Sequence, residues 1–229
     1  MLERIQWLRD PSATIKVAGK SGISQARTRL GWEPLRQLHD AVVKPIAVPA
    51  TKGAWYRGWR LVSLDGSTLD VADEQANEDT FGRPGASRGS SANPQIRFVS
   101  LVENGTHVLF GSQLDAHTTG ETTLAKTVLP SLRKGMLCLA DRNFFGYELL
   151  KTHLRGAKIV LRSKTPDLVR QEFYGFLMAH FAIRGLMHEA ALRAQKDTDR
   201  LSFLHAVRVV RRKLPVFSAI PPSAEESIS

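Results

Sequence analysis

Two aspartates, Asp65 and Asp141, each follow an apolar run. Leu61-Val62-Ser63-Leu64 leads into Asp65-Gly66-Ser67-Thr68, and Leu137-Cys138-Leu139-Ala140 leads into Asp141-Arg142-Asn143-Phe144. Carboxylates are hard oxygen ligands, and two of them carried to one place by buried strands can hold a divalent cation between them. Cations held in this way support phosphoryl transfer, by activating an attacking oxygen and stabilising a leaving one. Such chemistry usually needs a third carboxylate, and no convincing one stands out in the chain. Each aspartate also has a purely structural reading. Asp-Gly between apolar runs suits a tight hairpin turn, and a strand-end aspartate often caps the next helix. The acidic run Asp70, Asp73, Glu74, Glu78 and Asp79 reads as a solvated loop. Gly19-Lys20-Ser21 is not a phosphate loop, because Thr14 stands where the second glycine is required.

The elements that must position the aspartates follow from periodicity. Short aliphatic or β-branched runs at 60–64, 68–72, 97–103 and 107–114 predict strands, with Asn104-Gly105 as a hairpin signal between the last two. A helix is predicted over 121–132, capped by Thr119 or Gly120, then a strand over 136–140. A further helix at 145–154 and an apolar run at 158–161 follow. The order, three antiparallel strands, a helix and then a strand ending in Asp141, predicts an α/β fold with a ribonuclease H-like core and a mixed sheet. In that arrangement the end of the first strand lies beside the fourth, so Asp65 and Asp141 converge. Helical regions flank the core: 24–47, broken near Gly31 and Pro34, and two C-terminal helices at 167–194 and 199–214, the second stopped by Pro215. The expected division is 1–54 as a helical region with possible DNA contact, 55–165 as the core, 166–214 as C-terminal helices, and 215–229 as a disordered tail.

Charge points to the partner. The 229 residues carry a formal net charge of +10, with a pI near 10.1. Residues 150–214 hold 14 Lys+Arg against 5 Asp+Glu, so most of the excess lies in the C-terminal third. This favours an anionic partner, nucleic acid first, over a generally basic surface. The loop 82–91 carries Arg83 and Arg88 among glycines and serines and reads equally as a wrap for a phosphate backbone or as a plain solvated loop. Arg208, Arg211, Arg212 and Lys213 read either as DNA contacts or as cations complementing a helix C-terminus. The single cysteine, Cys138, excludes a disulfide within the chain and reads as a small buried residue. No signal pattern opens the sequence and no apolar run reaches membrane-spanning length, so a soluble, cytoplasmic protein is expected, with no membrane partner.

Three segments carry a family resemblance. Trp55-Tyr56-Arg57-Gly58-Trp59-Arg60-Leu61-Val62-Ser63-Leu64-Asp65-Gly66-Ser67, the loop Phe81-Gly82-Arg83-Pro84-Gly85, and Leu139-Ala140-Asp141-Arg142-Asn143-Phe144-Phe145 resemble DDE transposases of the insertion-sequence-four type. The similarity runs from about residue 7 to 213. It implies a ribonuclease H-like catalytic core, an N-terminal helical region associated with DNA ends, and cut-and-paste DNA transposition. Asp65 and Asp141 match the family's first two metal-binding carboxylates, for Mg2+ or Mn2+. Arg83, Arg88, Lys151 and Arg155 are the candidate DNA contacts. The implied partners are DNA, as element terminal repeats, and either a second copy of the chain or an intact transposase.

One part of the family pattern is missing. The third carboxylate belongs to a Tyr-x2-Arg-x3-Glu-x6-Lys signature; with Lys151 as its lysine, the other three positions hold Leu137, Ala140 and Phe144. An internal deletion with its seam near 149–150 accounts for this, and the start also looks shortened. Glu148 and Glu172 are the nearest substitutes, and neither matches the motif. The expectation is a transposase-family protein with a defective catalytic site. The alternative is a non-catalytic DNA-binding remnant that competes with an intact transposase.

Overall fold

A computed structural model describes residues 19–85, 93–140 and 160–219, with side chains as far as 213. Asp141, Arg88, Glu148, Lys151, Arg155, the predicted helix at 145–154 and the seam near 149–150 lie outside the described residues.

The centre of the fold is one long strand, β2 (Trp59–Val71), which follows a two-residue strand β1 (Trp55–Tyr56) through a tight turn. β2 passes straight through Asp65-Gly66. The hairpin-turn reading of that dipeptide is therefore wrong, as is the division into strands at 60–64 and 68–72. Its pairing with β3 (Gln95–Glu103) is continuous and antiparallel, from Val62 opposite Glu103 to Asp70 opposite Gln95, and Gly66 keeps a negative φ. The ladder against β3 outweighs the local turn preference. β3 turns into antiparallel β4 (Val108–Ala116) at the expected Asn104-Gly105 site, where Gly105 (φ 83°) and His107 (φ 57°) both take left-handed conformations.

On its other edge β2 has two short parallel partners. β5 (Met136–Leu139) pairs with Arg60 to Ser63, and β6 (Val160–Leu161) pairs with Asp70 and Val71. The result is a mixed α/β sheet in the order β4-β3-β2, followed by β5 and β6 along one edge. Between those two pairings, residues 64–69 of β2 have no strand partner on that edge among the described residues.

Side-chain alternation along β2 builds two cores. Val62 and Leu64 point to one face with Val99, Leu101, Val108 and Phe110, covered by Leu124, Ala125 and Val128 of helix α4 (Glu121–Val128). Leu69 and Val71 point to the other with Ile96, Phe98, Val102 and Leu109, covered by Phe173, Tyr174 and Leu177 of the 28-residue helix α5 (Pro166–Arg193). α4 is shorter than predicted, because Pro130 lies in the 3-10 turn Leu129–Ser131 that ends it. Helix α3 (Gln75–Phe81) follows β2 and adds Phe81 to the α5-side core.

The N-terminal helices α1 (Lys20–Leu30) and α2 (Glu33–Val42) break at Gly31, as the sequence indicates, and dock on α5. Gln171 donates to the carbonyls of Arg27 (2.9 Å) and Gly31 (2.5 Å), while Trp32 stacks on Tyr174 with ring centroids 6.3 Å apart. The last helix, α6 (Phe203–Ala219), begins after a 3-10 turn at Thr198–Arg200. It continues past Pro215, correcting both the predicted stop and the start of the disordered tail. A proline inside a helix removes one hydrogen bond without necessarily ending it.

Candidate cation site

Asp65 lies in the middle of β2 with only 4% of its surface exposed. Neither carboxylate oxygen has a hydrogen bond of normal geometry, although the adjacent Gly66 N–H weakly favours the charged form. Burial, reinforced by the charge of Glu121, pushes the Asp65 carboxyl up to about 6. A buried carboxylate without partners is costly as it stands. Such an oxygen pair matches what a hard divalent cation requires.

Glu121, the first residue of α4, lies over Gly66. A Cβ placed on Gly66 would stand 3.5 Å from the Glu121 Cδ, 3.4 Å from Val99 Cγ2 and 3.5 Å from the Phe98 carbonyl oxygen. These are ordinary contact distances, so Glu121 packs over the strand at Gly66. Glu121 is 12% exposed, and its Oε2 is buried without a partner. Arg97, opposite Thr68 on β3, brings its Nε to 4.0 Å from Oε1 and donates from Nη1 to the Thr119 carbonyl at 3.1 Å. Desolvation raises the Glu121 carboxyl and Arg97 opposes that shift. The same guanidinium, after burial, lowers the basicity of His117. Among the described residues, no group of three or more His, Cys, Asp or Glu is close enough to form a complete metal site.

The other predicted site residues meet different environments. Glu172 is already engaged: it accepts from the backbone N–H groups of Arg162 (3.1 Å) and Ser163 (3.0 Å) and from the Ser163 hydroxyl (2.6 Å). It ties the segment after β6 to α5. Arg83 pairs with Asp73 and, at 2.8 Å, with Glu78, which meets its charge locally. Cys138 is half-buried, and burial pushes its thiol up. Arg208, Arg211 and Arg212, with His205, line an open hollow along α6. Six residues of helix follow Lys213, so the cations are not at the C-terminus and the dipole reading fails.

Glu121 is not among the candidates that the sequence offers. The available signal was Gly120-Glu121 at a predicted helix start, an ordinary place for an acid.

Comparison with known proteins gives the family. The profile of the Transposase DDE domain matches residues 57–210, well over half of the chain. The chain belongs to the DDE transposase family. Two curated transposase-family relatives from Escherichia coli agree. InsZ, a transposase by its provisional name, is 25% identical over 154 residues, covering 66% of this chain and 51% of its own. The transposase InsG for insertion sequence element IS4 is 25% identical over 130 residues, covering 57% of this chain and 29% of its own. This DDE transposase-family chain therefore spans about half, or less, of the length of those relatives. No solved structure matches it. Among the described residues, no helix is long and apolar enough to cross a membrane.

Proposed function

We propose that this is a DNA-transposition protein of the DDE class with a ribonuclease H-like core, whose cation site is built on Asp65 and Asp141 and whose strand-transfer activity is lost. One observation carries the reading of the site: the parallel register of β2 and β5 pairs Ser63 with Leu139, and each aspartate stands two residues further along its own chain. The antiparallel β4-β3-β2 ladder with a parallel strand on the far edge of β2 supports the core assignment. The orphaned, buried oxygens of Asp65 fit a hard cation such as Mg2+ or Mn2+. When bound, such a cation supplies charge stabilisation to the oxygens of a phosphodiester. The chain's part is to hold Asp65 dry and fixed at mid-strand, and to present cationic side chains to the DNA backbone.

Loss of activity follows from the signature: Phe144 stands where its glutamate belongs, and Glu172 is bound to the Arg162-Ser163 backbone. The test is incubation with DNA bearing the element's terminal repeats in Mg2+ or Mn2+. No cleavage is expected. Cleavage by the wild type that disappears in Asp65→Ala would overturn the loss of activity.

A second reading, a DNA-binding competitor of an intact transposase, is favoured by one feature: the arginines of α6, with the net +9 of residues 150–214. It predicts preferential binding to terminal-repeat DNA over unrelated duplex. Equal affinity for both would count against it.

A further inference from the structure

We propose that the tip of the β1–β2 hairpin is a contact for single-stranded DNA, in which Tyr56 and Trp59 stack on unpaired bases while Arg57 and the cations beside it meet the backbone. This rests on the reading of the chain as a DNA-transposition protein and adds a surface to it. The tip is built by register: Trp55 pairs with Arg60 and Tyr56 with Trp59, which leaves Arg57 and Gly58 as a two-residue turn. Both take left-handed conformations, with φ 49° and 84°. Such a turn favours asparagine or aspartate ahead of its glycine, so the sequence sets an arginine where the backbone disfavours it. A side chain kept against backbone strain points to a use for that side chain.

Directly opposed residues share one face of a hairpin. Tyr56 and Trp59 therefore stand on the same face, and they are 52% and 50% exposed. Trp55, on the other face, is fixed: its Nε1 donates to the Val48 carbonyl at 2.8 Å, and the Arg60 guanidinium lies 4.7 Å from its ring centroid. The Arg57 guanidinium lies 5.3 Å from the Tyr56 centroid, which sets a cation against an exposed ring. Charge then names the partner. Arg60 donates its backbone N–H to Gly135 (2.9 Å), which brings Arg133 and Lys134 beside the hairpin. Arg133 lines a hollow of about 300 Å3 with Lys44, and its one acid is Asp40. Residues 41–64 and 122–140 contain no Asp or Glu. Lys44, Lys52, Arg57, Arg133 and Lys134 are exposed, and none makes an ion pair among the described residues. Open π faces beside unanswered cations match a polyanion with unstacked bases, which is single-stranded nucleic acid. The apolar centre of a protein interface is instead depleted in charge.

The experiment is fluorescence anisotropy with a labelled oligothymidylate of about 20 nucleotides and a duplex of equal length, with sedimentation of the protein alone. Wild type is expected to bind the single strand. Trp59→Ala and Tyr56→Ala are each expected to weaken that binding about tenfold, Trp59→Phe to weaken it less, and Arg57→Gln to flatten its salt dependence by a slope of about 0.7. Lys164→Gln, an exposed cation beside the opposite end of β2, is expected to leave it unchanged. Wild-type affinity in both alanine variants overturns the proposal. Self-association of the wild type that Trp59→Ala abolishes also overturns it, by making the tip an interface between copies. Duplex binding without single-strand binding overturns the role of the tip and leaves the DNA reading in place, and binding to neither overturns both. A cooperative melt shows that each variant is folded, and Trp59→Phe supplies a second reading where Trp59→Ala does not fold.

Discussion

Replacing Asp65 by asparagine isolates the charge at the centre of β2. The folded carboxyl stands at about 6 against an ordinary 3.8, a rise caused first by burial. A rise of that size corresponds to about 3 kcal/mol of destabilisation once the group is ionised. The amide of asparagine is also buried without partners, which returns roughly 1 kcal/mol. Asp65→Asn should therefore stabilise the cation-free protein by about 2 kcal/mol at pH 8, or ~4–8 °C in melting temperature for a domain of this size. The sign follows from linkage. A raised carboxyl leaves stability intact below the unfolded value near 3.8 and loses it as pH climbs through about 6. The gap between variant and wild type should accordingly close toward pH 4. Urea denaturation in EDTA from pH 4 to 8 measures it. An asparagine variant no more stable than wild type at pH 8, or a gap that ignores pH, would refute the reasoning. Saturating Mn2+ should narrow the gap, because it stabilises the wild type selectively.

Other predictions concern the frame and the DNA surface. Gly105→Ala should be severely destabilising, by about 3 kcal/mol or more, because its Cβ would lie 2.3 Å from the Lys52 carbonyl oxygen at a φ of 83°. Gly58→Ala, at a similar φ of 84° with nothing within 4 Å, should cost only the backbone strain of about 1 kcal/mol; equal losses in chemical denaturation would contradict the steric argument. Glu103→Gln should cost about 3–5 kcal/mol, since this fully buried carboxylate accepts from the Ile46 and Ala47 N–H groups and the Thr106 hydroxyl and pairs with Arg60. Exchanging Arg208, Arg211 and Arg212 for glutamine should flatten the salt dependence of DNA binding by a slope of about 2–3, and an unchanged slope would remove α6 from the interface.

Much of the framework was legible locally. Asn104-Gly105 marked a real turn, because a turn is closed by neighbouring residues. The break at Gly31 and the helix at Glu121 were likewise written in short-range chemistry. The Asp65-Gly66 dipeptide was not legible in this way. Its local pattern satisfies a turn and a strand equally, and β3, about thirty residues away, decides for the strand. The place of Glu172 is not readable from the sequence, because the backbone it binds, at Arg162 and Ser163, is brought near only by folding.

The sequence by itself determined membership of the DDE transposase family, the two aspartates, and the succession of β3, β4, α4 and β5. These depend on residue identity and spacing. Tertiary structure decided which groups surround Asp65: the β3 ladder beside it, the burial that raises its carboxyl, and the Glu121 charge at the start of α4. Such contacts depend on how strands register and where a helix docks, and residues over fifty positions apart in the chain carry no local mark of that proximity.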